Sequence, residues 1–320
     1  MKIFHPDTFK EAIFSPSANI ESLINQLWEY QSRHNAVVRR YCELLESSAQ
    51  TFIPIEFFKQ FELKTAEPWE AAAIFESSGT SGQKPSNHFV KDLNLYKRAA
   101  VAAFHQFFPQ EPYKILALLP SYLERGNSSL VYMVQHWMEH FGLAGSGFYL
   151  HDFAALRKVI DESEEPVLLI GVSFALLDFA EAYPGSLPKG TIVMETGGMK
   201  GRREELVRWE LHERLCQAFK LPYITSEYGM TELMSQAYAL QGGRFFSPPW
   251  LKVVITDIHL AEFIQKTGHI GRINFIDLAN VHSCAFIASD DIGRMHADGS
   301  FEVLGRLDHA EMRGCSLMYL

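Results

Sequence analysis

The sequence has few cysteines, no long apolar run and no surplus of basic residues, and each absence excludes a class of protein. Its 320 residues include four dispersed cysteines, which argues against a disulfide framework and favours reduced thiols in a cytoplasm. The longest apolar candidate, near Ile115 to Pro120, is far too short to span a membrane, and the N-terminus lacks a signal-peptide core. A net charge of −9 argues against a nucleic-acid partner.

The composition is that of an ordinary globular protein, with 47% hydrophobic and 21% charged residues. Apolar residues recur at helical spacing between residues 8 and 63. Beyond residue 70, short apolar runs alternate with helical patterns. The predicted strands lie at 114–119, 167–172, 191–195 and 223–225, and the predicted helices at 92–108, 174–182 and 203–219.

This alternation predicts an α/β fold with mostly parallel sheets flanked by helices. After residue 250 the pattern changes to short strands with little helix between them, which predicts a small β-rich subdomain. We therefore expect three parts: an N-terminal helical segment (1–70) packed on the core, an α/β core (71–250) and a small β-rich subdomain (251–320).

A glycine- and serine-rich segment carries the clearest chemistry. It runs Ser77-Ser78-Gly79-Thr80-Ser81-Gly82-Gln83-Lys84-Pro85-Ser86. Glycines allow close backbone approach, successive N–H groups in such a turn bind anions, and Lys84 adds a positive charge. The spacing differs from the P-loop motif of nucleoside triphosphatases. Taken alone, the segment could equally be a surface loop.

Three further segments follow in order: Tyr228-Gly229-Met230-Thr231-Glu232, Ala288-Ser289-Asp290-Asp291-Ile292-Gly293 and Gly305-Arg306-Leu307-Asp308. In isolation each is compatible with a turn that carries a solvated charge, and Thr231 could be the N-cap of a helix. The four segments in this order resemble the signatures of the adenylate-forming superfamily.

That resemblance implies ATP and Mg²⁺ and a role for each residue. The loop Ser77, Ser78, Gly79, Thr80, Ser81 and Gly82 would cradle the phosphates, with Lys84 as a catalytic cation. Tyr228 and Gly229 would lie against the adenine, Thr231 would contact phosphate and Glu232 would hold Mg²⁺. Asp291 would bind the ribose, and Arg306 would meet ribose or phosphate.

Other segments narrow the resemblance to one branch, the acyl-protein synthetases, which are similar to phenylacetate–CoA ligases. These are residues 121–130, Thr196-Gly197-Gly198-Met199-Lys200-Gly201 and Arg313-Gly314-Cys315-Ser316-Leu317. The resemblance implies that Cys315 carries the acyl group as a thioester, and we expect Gly197 and Gly198 to border the acyl pocket. Because the chain stops at Leu320, we also expect it to lack the superfamily's C-terminal lid domain.

The sequence therefore predicts a cytoplasmic enzyme that activates a carboxylic acid, such as a fatty acid, with ATP and transfers the acyl group to a thiol. The acceptor would be Cys315, CoA or an acyl carrier protein, and a reductase or acyltransferase could be a partner. Two alternatives stay open: an ATP-independent acyltransferase that uses Cys315, and a non-catalytic subunit that binds nucleotide.

Overall fold

A computed structural model describes residues 4–77, 84–120, 126–197, 206–258 and 266–307. Its helices are α1 (Pro6–Ala12), α2 (Ile20–His34), α3 (Ala36–Leu44), α4 (Phe57–Gln60), α5 (Leu93–Phe107), α6 (Ser129–Phe141), α7 (Phe153–Asp161), α8 (Ser173–Ala182) and α9 (Arg208–Phe219). Its strands are β1 (Ile53–Pro54), β2 (Ala73–Glu76), β3 (Asn87–Val90), β4 (Lys114–Leu118), β5 (Gly147–Phe148), β6 (Val167–Val172), β7 (Ile192–Thr196), β8 (Thr225–Tyr228), β9 (Ala237–Ala239), β10 (Leu251–Thr256), β11 (Ile270–Asp277), β12 (Phe286–Met295) and β13 (Phe301–Arg306).

Polar side chains fix where several helices begin. Asp92 accepts hydrogen bonds from the backbone N–H groups of Asn94 and Leu95 and so caps α5. Ser128 caps α6 and Asp152 caps α7 in the same way. Because these side chains satisfy N–H groups that have no partner within the helix, they define the start of each helix.

The first large sheet has the strand order β5-β4-β6-β7-β8-β9. All neighbours in it are parallel except β9, which runs antiparallel to β8. Every residue of β6 is buried, as expected for a parallel strand with helices on both faces of the sheet. The predicted parallel α/β arrangement is confirmed here.

The second large sheet contains β10, β11, β12 and β13 in antiparallel order, with β1 added parallel to β12. The prediction of a β-rich region after residue 250 is therefore confirmed. The N-terminal stretch 8–63, which the sequence pattern assigns to helix, also supplies β1, which pairs Ile53 with Ile287. A third, smaller sheet is the antiparallel pair β2–β3.

The segment Ala288–Gly293 is not a turn, because it lies inside β12. A bulge interrupts the β12–β13 pairing between Ile292 and Gly293. A Cβ on Gly293 would lie 2.1 Å from the carbonyl oxygen of Glu302, so only glycine fits this approach. The turn-like composition of this segment reflects that bulge.

Two boundaries around the Tyr228 segment also differ from the prediction. The strand expected at 223–225 runs over Thr225–Tyr228, so the motif begins inside the sheet. Thr231 does not start a helix, because the N–H of Leu233 bonds to the carbonyl of Met230 and closes a turn. The carboxyl ends of β6, β7 and β8 thereby place Ser173, Gly197 and Gly229 along one edge of the sheet, where α/β proteins bind ligands.

Among the described helices, none is both long enough and apolar enough to cross a membrane.

Candidate active site

The two ends of the predicted phosphate loop are joined directly. The backbone N–H of Ser86 donates to the Ser77 hydroxyl at 2.8 Å, and the Ser77 N–H donates to the Ser86 carbonyl at 3.1 Å. These bonds continue the β2–β3 ladder by one step and close the base of the hairpin. Lys84 lies exposed beside this base. Ser78, Gly79, Thr80, Ser81 and Gly82 lie outside the described residues.

Glu232 lies against the same hairpin base. It is buried, and the side chain of Ser86 lies near its carboxylate. Burial raises the pKa of Glu232 above its ordinary value, although the nearby Ser86 side chain lowers it in part. A carboxylate that is removed from water in this way fits a cation, which would replace the lost solvation. Thus the structure brings the described ends of the predicted phosphate loop and the predicted metal residue together.

Thr231 and Glu232 lie in a turn whose backbone is held by side chains. A ring nitrogen of the buried His88 lies 2.8 Å from the Thr231 carbonyl, and the Asn280 amide donates to the Glu232 carbonyl at 2.8 Å. His88 and Asn280 contact each other at 3.0 Å. In the described part of the chain, no group of three or more His, Cys, Asp and Glu side chains could hold a metal.

A second cluster joins Tyr228, Asp291 and Arg306 across the two large sheets. The Tyr228 hydroxyl donates to one oxygen of Asp291 at 2.5 Å, and Arg306 Nε donates to the other at 3.1 Å. Asp291 and Arg306 face each other because their residues are paired in the β12–β13 register. Burial and the Asp291 carboxylate raise the pKa of Tyr228, which therefore remains a hydrogen-bond donor. Three residues from three different motifs thus form one site.

The Tyr228 ring packs against a cluster of three phenylalanine rings. It is nearly parallel to Phe275, with ring centroids 5.6 Å apart, and meets Phe245 and Phe301 edge-on. Aromatic contacts of this kind hold a ring in one orientation. This phenylalanine cluster links the end of β8 to β11 and β13, so it positions Tyr228 relative to Asp291.

Glu227 is a buried carboxylate that the motif comparison did not single out. Its side chain accepts a hydrogen bond from the Thr196 hydroxyl across the β7–β8 pair. Burial raises the pKa of Glu227 to about 7. A Cβ on Gly229 would lie 2.5 Å from the Glu227 carboxylate, so the motif glycine leaves room for this acid. An acidic residue in the middle of a buried strand was the available signal in the sequence.

Gly197 follows β7 with a φ of 69°, a conformation that favours glycine. The Ser173 hydroxyl donates to its carbonyl at 2.7 Å, so the first residue of α8 holds this turn. Gly198 lies outside the described residues. The position of Gly197 at the carboxyl edge of the sheet agrees with the predicted acyl pocket, but the lining of that pocket stays a prediction.

Beneath this turn, Glu195 is buried and paired with Arg208 and His212. Burial raises the pKa of Glu195, but the His212 hydrogen bond and the Arg208 charge outweigh it, so the pKa is lowered overall. Ser226 also contacts His212, at 3.3 Å, which gives the composition of a catalytic triad. However, His212 approaches both Ser226 and Glu195 through the same Nε2 atom, and Ser226 is fully buried. This cluster is therefore a packed polar network rather than a nucleophile with its base.

The described cysteines are free thiols. Cys284 is buried, and burial raises its pKa to about 12. Burial also raises the pKa values of the half-buried Cys42 and Cys216. All three are therefore protonated and poor nucleophiles. Cys315, the predicted acyl carrier, lies outside the described residues.

Comparison with solved structures defines the class of fold. ATP-bound MatB from Rhodopseudomonas palustris matches with a TM-score of 0.55 and 16% identity over 76% of this chain and 50% of that protein. The complex of O-succinylbenzoate coenzyme A synthetase (MenE) from Bacillus subtilis with AMP gives 0.54 and 18% over 74% and 49%. An open form of 2-hydroxyisobutyryl-CoA ligase with 2-HIB-AMP and CoA gives 0.66 and 12% over 93% and 77%. The chain has the adenylate-forming fold, and it spans about half the length of the first two proteins.

The family follows from sequence. The family described as acyl-protein synthetase, LuxE, matches residues 128–319, which is more than half of the chain. The chain therefore belongs to the acyl-protein synthetase, LuxE, family. A curated relative is the long-chain-fatty-acid–luciferin-component ligase of Aliivibrio fischeri, 20% identical over 93% of this chain and 86% of that protein. The family and the ligase class predicted from the motifs are confirmed.

Proposed function

We propose that this chain activates a fatty acid as its acyl-adenylate with ATP and then transfers the acyl group to a thiol. One observation carries the proposal: Ser86 bonds to Ser77, at the start of the loop, and its side chain lies near the Glu232 carboxylate. This proximity of segments about 150 residues apart in the sequence supports a shared site for the phosphates and a cation. Membership in the acyl-protein synthetase family supports the reaction class.

In the first step, the substrate carboxylate attacks the α-phosphorus of ATP and pyrophosphate leaves. The loop from Ser77 to Gly82 offers N–H and hydroxyl donors to the phosphates, and Lys84 and Arg306 add positive charge. Mg²⁺ held by Glu232 would neutralise charge on the phosphate oxygens. Thr231 contacts phosphate, while Tyr228, Gly229 and Asp291 hold the adenosine. Catalysis here consists of positioning and electrostatic stabilisation.

In the second step, a thiolate attacks the acyl carbonyl and AMP leaves, so a thioester forms. Cys315 is the proposed acceptor within the chain, and its neighbour Arg313 would favour the thiolate. CoA and an acyl carrier protein are the alternative acceptors. Gly197 and Gly198 are proposed to border the acyl chain.

The proposed substrate class is a long-chain fatty acid, as in the name of the Aliivibrio fischeri relative. The aromatic and hydrophobic content, 13% and 47%, is compatible with an acyl chain but does not define its length. A reductase that takes the acyl group from the thioester is the proposed partner, because a thioester stays activated for a further transfer.

The test combines two measurements on the full chain. Incubation with ATP, Mg²⁺ and acids of short, medium and long chain should release pyrophosphate only when a competent acid is present. Intact-protein mass spectrometry should then show a gain equal to the acyl group, which hydroxylamine removes. Cys315→Ser should abolish this gain but not pyrophosphate release, whereas the control Cys216→Ser should leave both unchanged. Pyrophosphate release that no acid stimulates would refute adenylate formation, and an acyl gain that persists in Cys315→Ser would refute the role of this thiol.

A further inference from the structure

Three buried side chains outside the motifs lie in contact with one another behind the Thr231–Glu232 turn. They are Gln31, His88 and Asn280, each no more than 2% exposed. The Asn280 amide nitrogen donates to the Glu232 carbonyl at 2.8 Å, and its amide oxygen lies 3.0 Å from His88 Nε2. The other ring nitrogen, Nδ1, lies 2.8 Å from the Thr231 carbonyl.

This group is anchored far from the turn. Gln31, on α2, donates to the backbone carbonyl of Asn280 at 2.9 Å and accepts from the N–H of Ala285 at 2.9 Å. Asn280 also bonds through its own N–H to the carbonyl of Asp277, at the end of β11. The main chain of Asn280 is therefore held by the second sheet and by α2, which leaves its side chain directed at Glu232 and His88.

The turn itself has little regular structure to hold it. Thr231 and Glu232 lie between β8 and β9, in neither a helix nor a strand. Their carbonyl groups are bound by His88 and Asn280 rather than by backbone N–H groups of a ladder. The direction in which the Glu232 side chain leaves the backbone consequently depends on these two side chains.

We propose that Asn280 and His88 are positioning residues, which set the orientation of Thr231 and Glu232 toward the triphosphate and its metal ion. This inference rests on the proposed function, in which Thr231 contacts phosphate and Glu232 holds Mg²⁺. Neither residue touches the substrate in this scheme, because each bonds to a main-chain carbonyl behind the turn. Partners that orient a metal ligand change metal affinity or activity when they are removed.

Asn280→Ala tests this role against a matched control. Asn274 is equally buried, lies on β11 six residues before Asn280 and makes three hydrogen bonds, to the Val254 and Arg272 carbonyls and the Thr256 hydroxyl. Asn274→Ala therefore removes a comparable buried amide without touching the turn. Both variants should lose thermal stability. Only Asn280→Ala should need more Mg²⁺ for half-maximal acid-dependent pyrophosphate release, by about tenfold, with much of the rate recovered at saturating Mg²⁺.

The outcomes separate this inference from the proposed function. Coincident Mg²⁺ curves for Asn280→Ala and Asn274→Ala, with an active wild type, would overturn the positioning role alone. A wild type without acid-dependent pyrophosphate release would overturn the proposed function and the inference with it. If Asn280→Ala does not fold, His88→Gln serves instead: it loses the Thr231 contact and should raise the Mg²⁺ requirement, and an unchanged requirement would equally overturn the role.

Discussion

Replacing Glu227 with glutamine should stabilise the protein, and the gain should grow with pH. Glu227 is buried between β7 and β8, and burial raises its pKa to about 7 from an ordinary value of 4.5. Above pH 7 the folded chain must hold a buried negative charge that the unfolded chain leaves in water. Glutamine keeps the shape and can still accept from the Thr196 hydroxyl, but it carries no charge.

The magnitude follows from the pKa difference. Below pH 4.5 both states of the wild type are protonated and the carboxyl group has no effect on stability. As the pH rises to 7, the unfolded state loses its proton first, so the wild type loses stability through this window. The loss at pH 8 is about 3 kcal/mol, and at pH 5 it is about 1 kcal/mol. For a chain of this length, 3 kcal/mol corresponds to a rise in Tm of roughly 4 °C for Glu227→Gln.

Glu195→Gln is the matched control, one residue from Thr196 on the same strand. The pKa of Glu195 is lowered, because His212 and Arg208 outweigh its burial. Its stabilising effect is therefore present above its ordinary pKa and is lost as the pH falls. Urea unfolding of both variants at pH 5 and pH 8 should show a gain for Glu227→Gln that is larger at pH 8, and a loss for Glu195→Gln of similar size at both pH values. A Glu227→Gln variant no more stable than the wild type at pH 8, or a gain independent of pH, would refute the reasoning.

Two further predictions concern the motif itself. Burial raises the pKa of Glu232, and Glu232→Gln keeps the size of this side chain but removes its charge, so Tm should stay equal or rise. Pyrophosphate release at ordinary Mg²⁺ concentrations should fall by at least tenfold. Full activity of this variant would show that Glu232 holds no metal. Gly229→Ala places a Cβ 2.5 Å from the Glu227 carboxylate and should lower Tm. The same change in a Glu227→Ala background should lower Tm only slightly. An equal loss of Tm in both backgrounds would contradict this contact.

The elements predicted well from the sequence are those whose pattern comes from burial. The strand Val167–Val172 is apolar throughout because helices cover both faces of its sheet, and the helix Leu93–Phe107 begins after a capping aspartate. By contrast, Thr225–Tyr228 is a buried strand made mostly of polar residues, whose side chains form hydrogen bonds with neighbouring strands and helices. A hydrophobic pattern cannot reveal such a strand. The bulge at Gly293 likewise made β12 look like a turn.

The candidate site likewise contains residues that the sequence indicates and residues that it does not. Tyr228, Glu232, Asp291 and Arg306 could be named as candidates because each belongs to a short motif of characteristic composition. His88, Asn280 and Gln31 could not, since their contacts join residues as far apart as 254 positions and depend on how the sheets pack. Buried amides and imidazoles have no local signal that separates a positioning role from ordinary core packing. Only the structure shows which carbonyl groups they bind.

Three of the buried carboxylates near the motif have raised pKa values, and one of these three lies beside the described end of the predicted phosphate loop. Burial raises the pKa values of Glu227, Glu232 and Asp277, so each would gain from a neighbouring cation or proton. Asp277 already accepts from the Met234 N–H and the Ser235 hydroxyl, and Glu227 accepts from Thr196 on the far side of the sheet. Glu232 instead faces Ser86 at the base of the predicted phosphate loop. Because Mg²⁺ commonly takes one or two carboxylates together with phosphate oxygens, this single acid beside the loop is sufficient for the proposed site.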